Sequence, residues 1–573
     1  MTAVLAPDPA TAARDASAWQ RAGRAVPTWL PAVMILIGGW SHRWMDEDAF
    51  INFRIVDQIF AGHGPVFNAG QRIEAATSPL WLFVLVLGRA LFGSFASMEW
   101  IAAIAGLAAA AGAFVIGGNA SRIQQRRRDN VKPDGVVVPV GLLLVGAVAV
   151  MWDFSTSGLE MGLVWLWLAA SWWALMSAAR AKEIPTRTRS GCCVVLGLAP
   201  LVRPELALMM LCLLVAWFVL ARPRRIGFDI AAIFAIPVAY EIFRMGYYAL
   251  IVPNTALAKD AGGLHLSQGW TYLHDFVAPY RLWVSAVLIV ATIVFSYVQR
   301  PSRRVAFATA AMLAAALVDT LYIVAIGGDY MHGRLLLPAF FALALPASLS
   351  VRPGALRVSR NNAAIATIIG LAVVWALVSV VWFRPPPPGA GTGLGPAPIS
   401  DWRTASGATM HPVDVALGLN GTQAAAAYRR GVRGYFKITD KEPRPVADPD
   451  QLVLTLGSIG VPAYDAGTHV FVIDIGGLAE PLAACTTPVP GRQAGHRKQI
   501  DDAWYDAIFG GPSTDPKVVA ARHALSCDPL QGLMQSVNAP MTAGRFLSNI
   551  AHSVSYTRLH VPDDPRVAER EWC

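Results

Sequence analysis

The sequence predicts a polytopic α-helical membrane bundle followed by a small α/β domain. Three observations carry that expectation. The chain is 55% hydrophobic and only 15% charged, against about one quarter charged in soluble domains. Its apolar residues fall in runs of roughly 17–25, the length that crosses a bilayer as helix. Its net charge of +9 lies in short loops between those runs, at Arg126 to Arg128, Arg187 and Arg189, Arg222 to Arg225, Arg300 to Arg304 and Arg352 to Arg360. That is the positive-inside pattern of membrane proteins, and it excludes a nucleic-acid patch as the meaning of the charge.

The elements follow in order. Residues 1–26 are rich in Ala, Asp and Arg and read as a disordered cytoplasmic tail. They are no signal peptide, because the first apolar run starts late and no small-residue cleavage site follows it. Spans are expected near 28–42, 98–119, 136–152, 160–180, 190–202, 204–221, 227–247, 281–299, 304–325, 334–351 and 362–383. The first outer loop covers 43–97. Inside it, Pro79 to Phe92 is apolar but falls short of a span at about 14 residues. Counting it as one would also place every later basic loop outside. It reads as a helix lying at, or re-entering, the outer interface. Eleven spans result, with the N-terminus inside and the C-terminus outside.

Arg203-Pro204-Glu205 interrupts the run 190–221. A proline flanked by charges breaks the helix, and the charges face either a tight outer turn or a polar cavity. Residues 384–399, with four consecutive prolines and then Gly and Pro, form a stiff linker. Residues 400–573 turn polar and globular, with strands at 451–456 and 468–475 and helices at 501–509 and 516–525. Cys192, Cys193 and Cys212 lie in apolar runs and serve packing. Outside the cytoplasm a disulfide is expected among Cys485, Cys527 and Cys573. Three pairings are possible; Cys485 with Cys527 is the expected one, leaving Cys573 free. No CxxC spacing suggests structural zinc.

Asp46-Glu47-Asp48 directly follows the first span. Three adjacent carboxylates at a membrane boundary are costly to desolvate and raise one another's pKa. A solvated loop capping the next helix would explain the acids alone. It would not explain the aromatics, Arg54, Asn68, Glu74 and Thr77 that follow. Other outer loops collect polar groups at Asp153 to Glu160, at Pro253 to Asp260 and at Gly327 to Arg334. Facing one side, these loops converge on one mouth of the bundle. There is no Walker A, GxSxG or HExxH motif, and no charged, interrupted inverted repeat of the transporter kind. Carboxylates suit a general base acting on a sugar hydroxyl. Arg, Lys and His suit a phosphate leaving group. A membrane bundle suits a lipid-linked donor. Together they point to glycosyl transfer from a lipid phosphate.

The pattern Glu47-Asp48-Ala49-Phe50-Ile51 with Arg54, then Gly64-Pro65-Val66-Phe67-Asn68, then Thr77-Ser78-Pro79-Leu80-Trp81 resembles the first outer loop of GT-C membrane glycosyltransferases. Pro253 to Lys259, and Gly328-Asp329 with Gly333-Arg334, resemble the same group. More narrowly, nearly the whole chain is similar to the actinobacterial (mycobacterial) terminal β-(1→2) arabinofuranosyltransferases of AftB type. That resemblance implies a GT-C fold with eleven spans and a periplasmic cap domain in the plasma membrane. It implies decaprenylphosphoryl-arabinofuranose as donor and the arabinan ends of arabinogalactan or lipoarabinomannan as acceptor.

The resemblance assigns the role of base to Asp48. Related chains often carry two aspartates where this one has Glu47-Asp48, so Glu47 and Asp46 remain candidates. Arg54, Lys259, Asp329, His332, Arg334, Asn68 and Thr77 are the expected contacts to donor phosphate and sugar. A β-linked donor giving a β-linked product would be retention, and Glu47 or Asp329 would then serve as nucleophile or ion-pair stabiliser. No cofactor is expected. Adjacent carboxylates can hold a divalent cation, but a single lipid phosphate needs none to depart. The alternatives are a GT-C transferase of mannose or aminoarabinose, and a transporter of lipid-linked sugar. Short basic inner loops, poor in acids and aromatics, disfavour the transporter.

Overall fold

The computed structural model describes residues 26–126, 135–222, 226–260, 263–299, 302–351, 360–384, 399, 403, 434–436, 452–489 and 495–573. The expected N-terminal tail and nearly all of the expected linker lie outside the described residues.

Among the described residues, six helices are long and apolar enough to cross a membrane: α4 (Met98–Gln124), α7 (Met161–Arg180), α11 (Ile226–Tyr248), α14 (Leu282–Gln299), α15 (Arg303–Ile326) and α17 (Arg360–Trp382). At a rise of about 1.5 Å per residue even the 18-residue α14 spans nearly the hydrocarbon core. Their outer faces carry exposed Ile236, Ile242, Val287, Leu317, Leu377 and Trp382, surface that only lipid would cover at this extent. The chain is a multi-pass membrane protein. Among the remaining helices, α1 (Val26–Ser41), α3 (Pro79–Phe92), α10 (Leu206–Ala221) and the segment Arg334–Ala344 are apolar but shorter. That last segment is a 3-10 turn (Arg334–Leu336) running into α16 (Leu337–Ala344).

Three expected spans are not single helices. Residues 136–152 begin as strand β1 (Val136–Val138), and the helical part is split into α5 (Val140–Gly146) and α6 (Ala149–Thr156). Pro139 lacks an N–H to continue either ladder. Gly141 lies against the Ala344 carbonyl, where any side chain would collide. Residues 334–351 end as strand β2 (Leu349–Val351), which pairs antiparallel with β1, Val136 opposite Val351. Residues 190–202 are α8 (Thr186–Gly197) and α9 (Ala199–Val202). The loops expected on the outer side hold α2 (Ala49–Phe60), α12 (Asn254–Ala258) and α13 (Leu266–Val277).

Among the described residues, the C-terminal part holds a three-stranded parallel sheet in the order β3 (Gly434–Phe436), β4 (Leu452–Leu456), β5 (Phe471–Asp474). The expected strands and the helices Ala503–Phe509 and Pro516–Leu525 are present. Side chains alternate across a strand, and here the two faces bury different partners. Leu452, Leu454 and Leu456 pack with Ile51, Ile55 and Phe67 of the first loop. Val453 packs with Trp504, Ala521 and Leu530 of the domain's own helices. The membrane part therefore covers one face of the C-terminal sheet.

The disulfide joins Cys527 to Cys573, not Cys485 to Cys527. Helices Pro516–Leu525 and Pro565–Trp572 lie side by side, with His523 Nδ1 2.9 Å from Glu569 Oε1, and this delivers the terminal cysteine to Cys527. Cys485 is buried among Leu482, Trp504 and Val561, and burial pushes its thiol up to about 12.

Candidate active site

The three adjacent carboxylates of the first loop have three different environments. Asp46 is fully buried; its Oδ1 accepts the Asp48 N–H at 2.8 Å and its own N–H donates to the Ser157 carbonyl at 2.9 Å. Burial first, then the Asp48 charge, pushes its carboxyl well above the usual range. Glu47 is held by the C-terminal domain: its Oε1 accepts from Ser458 Oγ and from the Gly460 N–H, both at 2.6 Å. Burial, with the Asp48 charge second, raises it to about 7.

Asp48 precedes α2 but makes no side-chain cap to it, so the capping account of the loop does not hold. Its carboxylate instead turns toward Arg334, with Oδ2 3.6 Å from Nη1. Tyr330 Oη stands 3.5 Å from the same oxygen. The Asp48 side chain keeps 16% of its surface accessible.

Arg334 is the hub. Its Nη1 is 3.4 Å from Asp329 Oδ2, and its Nη2 is 4.0 Å from Glu160 Oε1. Glu160 pairs in turn with Arg203, which also pairs with Glu205. The turn that supplies Asp329 and Arg334 needs glycine at two points. Gly328 has φ +71° with the Tyr272 ring on it, and Gly333 has φ +67° against Phe276; other residues rarely adopt such φ. Tyr272 clamps the turn, its hydroxyl donating to the Met331 carbonyl at 2.9 Å and accepting the Leu335 N–H at 3.0 Å.

Two small cavities of about 130 and 30 Å³ adjoin here and share Thr77, Thr255, Lys259 and Arg334. The smaller has Asp48, Asn52 and Glu160 in its wall, the larger Arg203, Glu205, Tyr322 and Asp329. Leu478 and Gly495 of the C-terminal domain close them from above. Lys259 follows α12, which Asn254 fixes by donating to the carbonyls of Gly477, Leu478 and Glu480. Among the described residues no carboxylate pairs with the Lys259 ammonium. The cleft thus holds a partly exposed carboxylate, a buried arginine surrounded by acids, and a lysine available to an anion.

The structure brings Asp48, Thr77, Lys259, Asp329 and Arg334 together. It places the other expected site residues elsewhere. Arg54 donates to the carbonyls of Phe67, Ala463, Gly467 and Val470 and to Asn68 Oδ1. Asn68 bonds the main chain of Val472 with both ends of its amide. Both tie the first loop to the C-terminal domain. His332 gives Nδ1 to Asp275 Oδ2 at 2.6 Å and is buried beside Phe276 and Tyr280, outside the cleft wall.

Glu160, Arg203 and Glu205 are not among the expected donor contacts, yet they line the cleft, which agrees with the polar-cavity reading of Arg203 and Glu205. Arg203 pairs with Glu205 and with Glu160, and Glu160 joins that pair to Arg334. An ionisable residue at the head of an apolar run was the available signal.

Residues 435–571 match the family model described as the AftB family C-terminal domain. Over 94% of this chain and 96% of the relative, the sequence is 32% identical to a terminal β-(1→2)-arabinofuranosyltransferase of Mycobacterium tuberculosis. It is 30% identical to the protein of the same name from Corynebacterium glutamicum, over 93% of this chain and 85% of the relative. No solved structure matches. With this similarity running through the membrane helices, the charged cleft and the C-terminal domain alike, the chain belongs to the AftB family.

Proposed function

We propose that the protein is a glycosyltransferase that moves arabinofuranose from decaprenylphosphoryl-arabinofuranose to terminal arabinan residues, forming a β-(1→2) bond. The names of the matched relatives support the reaction. The observation that carries the site is one cleft holding the Asp48 carboxylate opposite Arg334, with unpaired Lys259 in its wall.

Asp48 takes the proton from an arabinose 2-hydroxyl, and that oxygen attacks the anomeric carbon. The C–O bond to the lipid phosphate breaks, and Lys259 receives the departing anion through charge-assisted hydrogen bonds. Arg334 orients the Asp48 carboxylate across the cleft, its Nη1 3.6 Å from Oδ2. Glu47, held by Ser458 and Gly460, is a docking group. Direct displacement would invert the anomeric centre, so retention needs a second carboxylate that bonds the anomeric carbon as the phosphate leaves and is itself displaced by the 2-hydroxyl oxygen. Asp329 is the candidate, because its Oδ2 and that of Asp48 both reach Arg334 Nη1.

The bundle crosses the membrane eleven times in this reading. The six long helices, α1, α10 and the Arg334–Ala344 segment are joined by the broken segments 140–156 and 186–202. α3 lies at the interface. The cleft and the C-terminal domain face the periplasm of the plasma membrane.

The test feeds purified protein with labelled decaprenylphosphoryl-arabinofuranose and a synthetic arabinan acceptor. Asp48→Asn should lower turnover about 10²–10⁴-fold, the usual worth of a general base, with an unchanged melting temperature. Undiminished turnover excludes Asp48 as base, and transfer of mannose but not arabinose by the wild type excludes the donor.

A further inference from the structure

A second charged cavity lies at the opposite end of the bundle from Asp48. It has a volume of about 630 Å³ and is lined by the C-terminal ends of α7 and α10 and the N-terminal ends of α8, α11 and α15. The two sites are joined by the same helices. α7 starts beside Glu160 and ends here at Arg180, 20 residues on, which is about 30 Å of helix and the thickness of the hydrocarbon core. α10 and α15 likewise have one end at each site. The cavity is therefore at the headgroup level of the other membrane face.

Its wall carries Lys182, Arg189, Arg222 and Arg304 against Glu183 and Asp229. Arg189 is consumed by a two-pronged pair with Asp229, Nε to Oδ1 at 2.8 Å and Nη2 to Oδ2 at 2.8 Å. Arg304 is braced by donating one nitrogen to the carbonyls of Ala178 and Leu220 at 2.7 and 2.6 Å, while its buried Nε has no acceptor. Lys182, Arg222 and Arg304 thus leave a surplus of positive charge over Glu183. The rim is apolar: Ile226, Phe228 and Ile230 at the start of α11 are exposed. A further cavity of about 510 Å³, lined mainly by apolar residues that include Trp173, Ala174, Cys192 and Val195, shares α7 and α8 with the charged one.

We propose that this cavity binds the phosphate headgroup of an anionic diacyl phospholipid. The phosphate sits among Lys182, Arg222 and Arg304. An acyl chain runs along α7 and α8. Basic pockets between membrane helices bind such headgroups because the phosphate is attracted while its chains stay in the bilayer. A soluble anion would satisfy the cations but would leave the apolar rim and the neighbouring cavity unused. Each cation near a membrane surface contributes about 1 kcal/mol to holding an anionic lipid, so losing two should weaken binding about thirtyfold.

The experiment is native mass spectrometry of the full chain from detergent, titrated with phosphatidylglycerol, phosphatidylcholine or inorganic pyrophosphate. Wild type should retain phosphatidylglycerol over phosphatidylcholine. Lys182→Gln with Arg222→Gln, both exposed positions, should weaken that retention about thirtyfold while melting temperature and arabinosyl transfer stay near wild type. Equal retention of the two lipids, or equal retention by wild type and variant, overturns the proposal. Binding of pyrophosphate without the lipid overturns it in favour of a soluble anion. None of the overturning outcomes depends on the transfer reaction, so the proposal and the functional reading fail separately.

Discussion

Arg54 and Arg334 are both almost fully buried, at 1% and 3% exposure, and they do different things. Arg54 hydrogen-bonds only to neutral dipoles, four main-chain carbonyls and one amide oxygen, and lies over the Phe67 ring. Three of those carbonyls belong to residues 463–470 of the C-terminal domain. Arg334 meets carboxylates, Asp48, Asp329 and Glu160, and opens on a cleft. A buried guanidinium saturated by carbonyls has no capacity left for a ligand, because its five N–H donors point in fixed directions. One shared among several acids sits where charge can be exchanged. The partner set, not burial or residue type, separates the seam between domains from the candidate active site.

That contrast can be broken by mutation. Arg334→Met should cut turnover about 10²–10³-fold, the loss expected when one preorganised donor is removed, and should leave the C-terminal domain docked in limited proteolysis. If turnover survives, the cleft is not where the chemistry occurs. Arg54→Met leaves several buried carbonyls without a donor, at a cost of about 1–3 kcal/mol for an unsatisfied group. It should appear as earlier urea unfolding and faster cleavage between the domains, with kcat in the surviving folded fraction near wild type. A lowered kcat in folded protein would merge the two regions.

The smallest effect is expected at Glu47. Its carboxyl is raised from 4.5 to about 7, so the folded state holds its proton more tightly than the unfolded chain. Stability is then highest at low pH and falls as pH rises through that interval. Glu47→Gln keeps an oxygen acceptor for Ser458 and Gly460 and removes the titration. The variant's melting temperature should fall less than the wild type's between pH 5 and 8, with transfer little changed. Equal slopes would assign the wild-type pH dependence to other groups.

Much of the cleft was legible in the sequence. Asp48, Thr77, Lys259, Asp329 and Arg334 stand in polar outer loops beside apolar runs, and convergence of those loops on one mouth put them together. Arg54 and Asn68 read identically, as polar residues in the same loop. Their partners in the C-terminal domain lie some 400 residues later on bare main chain, and main-chain acceptors leave no mark on a sequence. Glu160 stands in one of those polar loops, but its link between Arg203 and Arg334 joins three different loops and leaves no local mark in the sequence. The cysteine pairing failed for a related reason. Spacing cannot show that Cys485 faces a core while the last helix returns Cys573 to Cys527, just past the helix Pro516–Leu525. The broken spans have a local signal, Pro139 and Gly141, but reading it requires knowing that Ala344 crosses there.

Asn68 has one more consequence. Its amide nitrogen donates to the Val472 carbonyl at 2.9 Å and its oxygen accepts the Val472 N–H at 3.0 Å, as a neighbouring strand would. Val472 is on β5, the last strand of the sheet order. A side chain from the membrane part therefore stands in for a missing strand at an edge that would otherwise invite another chain. Cut free of the membrane helices, the C-terminal domain would present that edge together with the bared leucine face of β4, and would be prone to self-association.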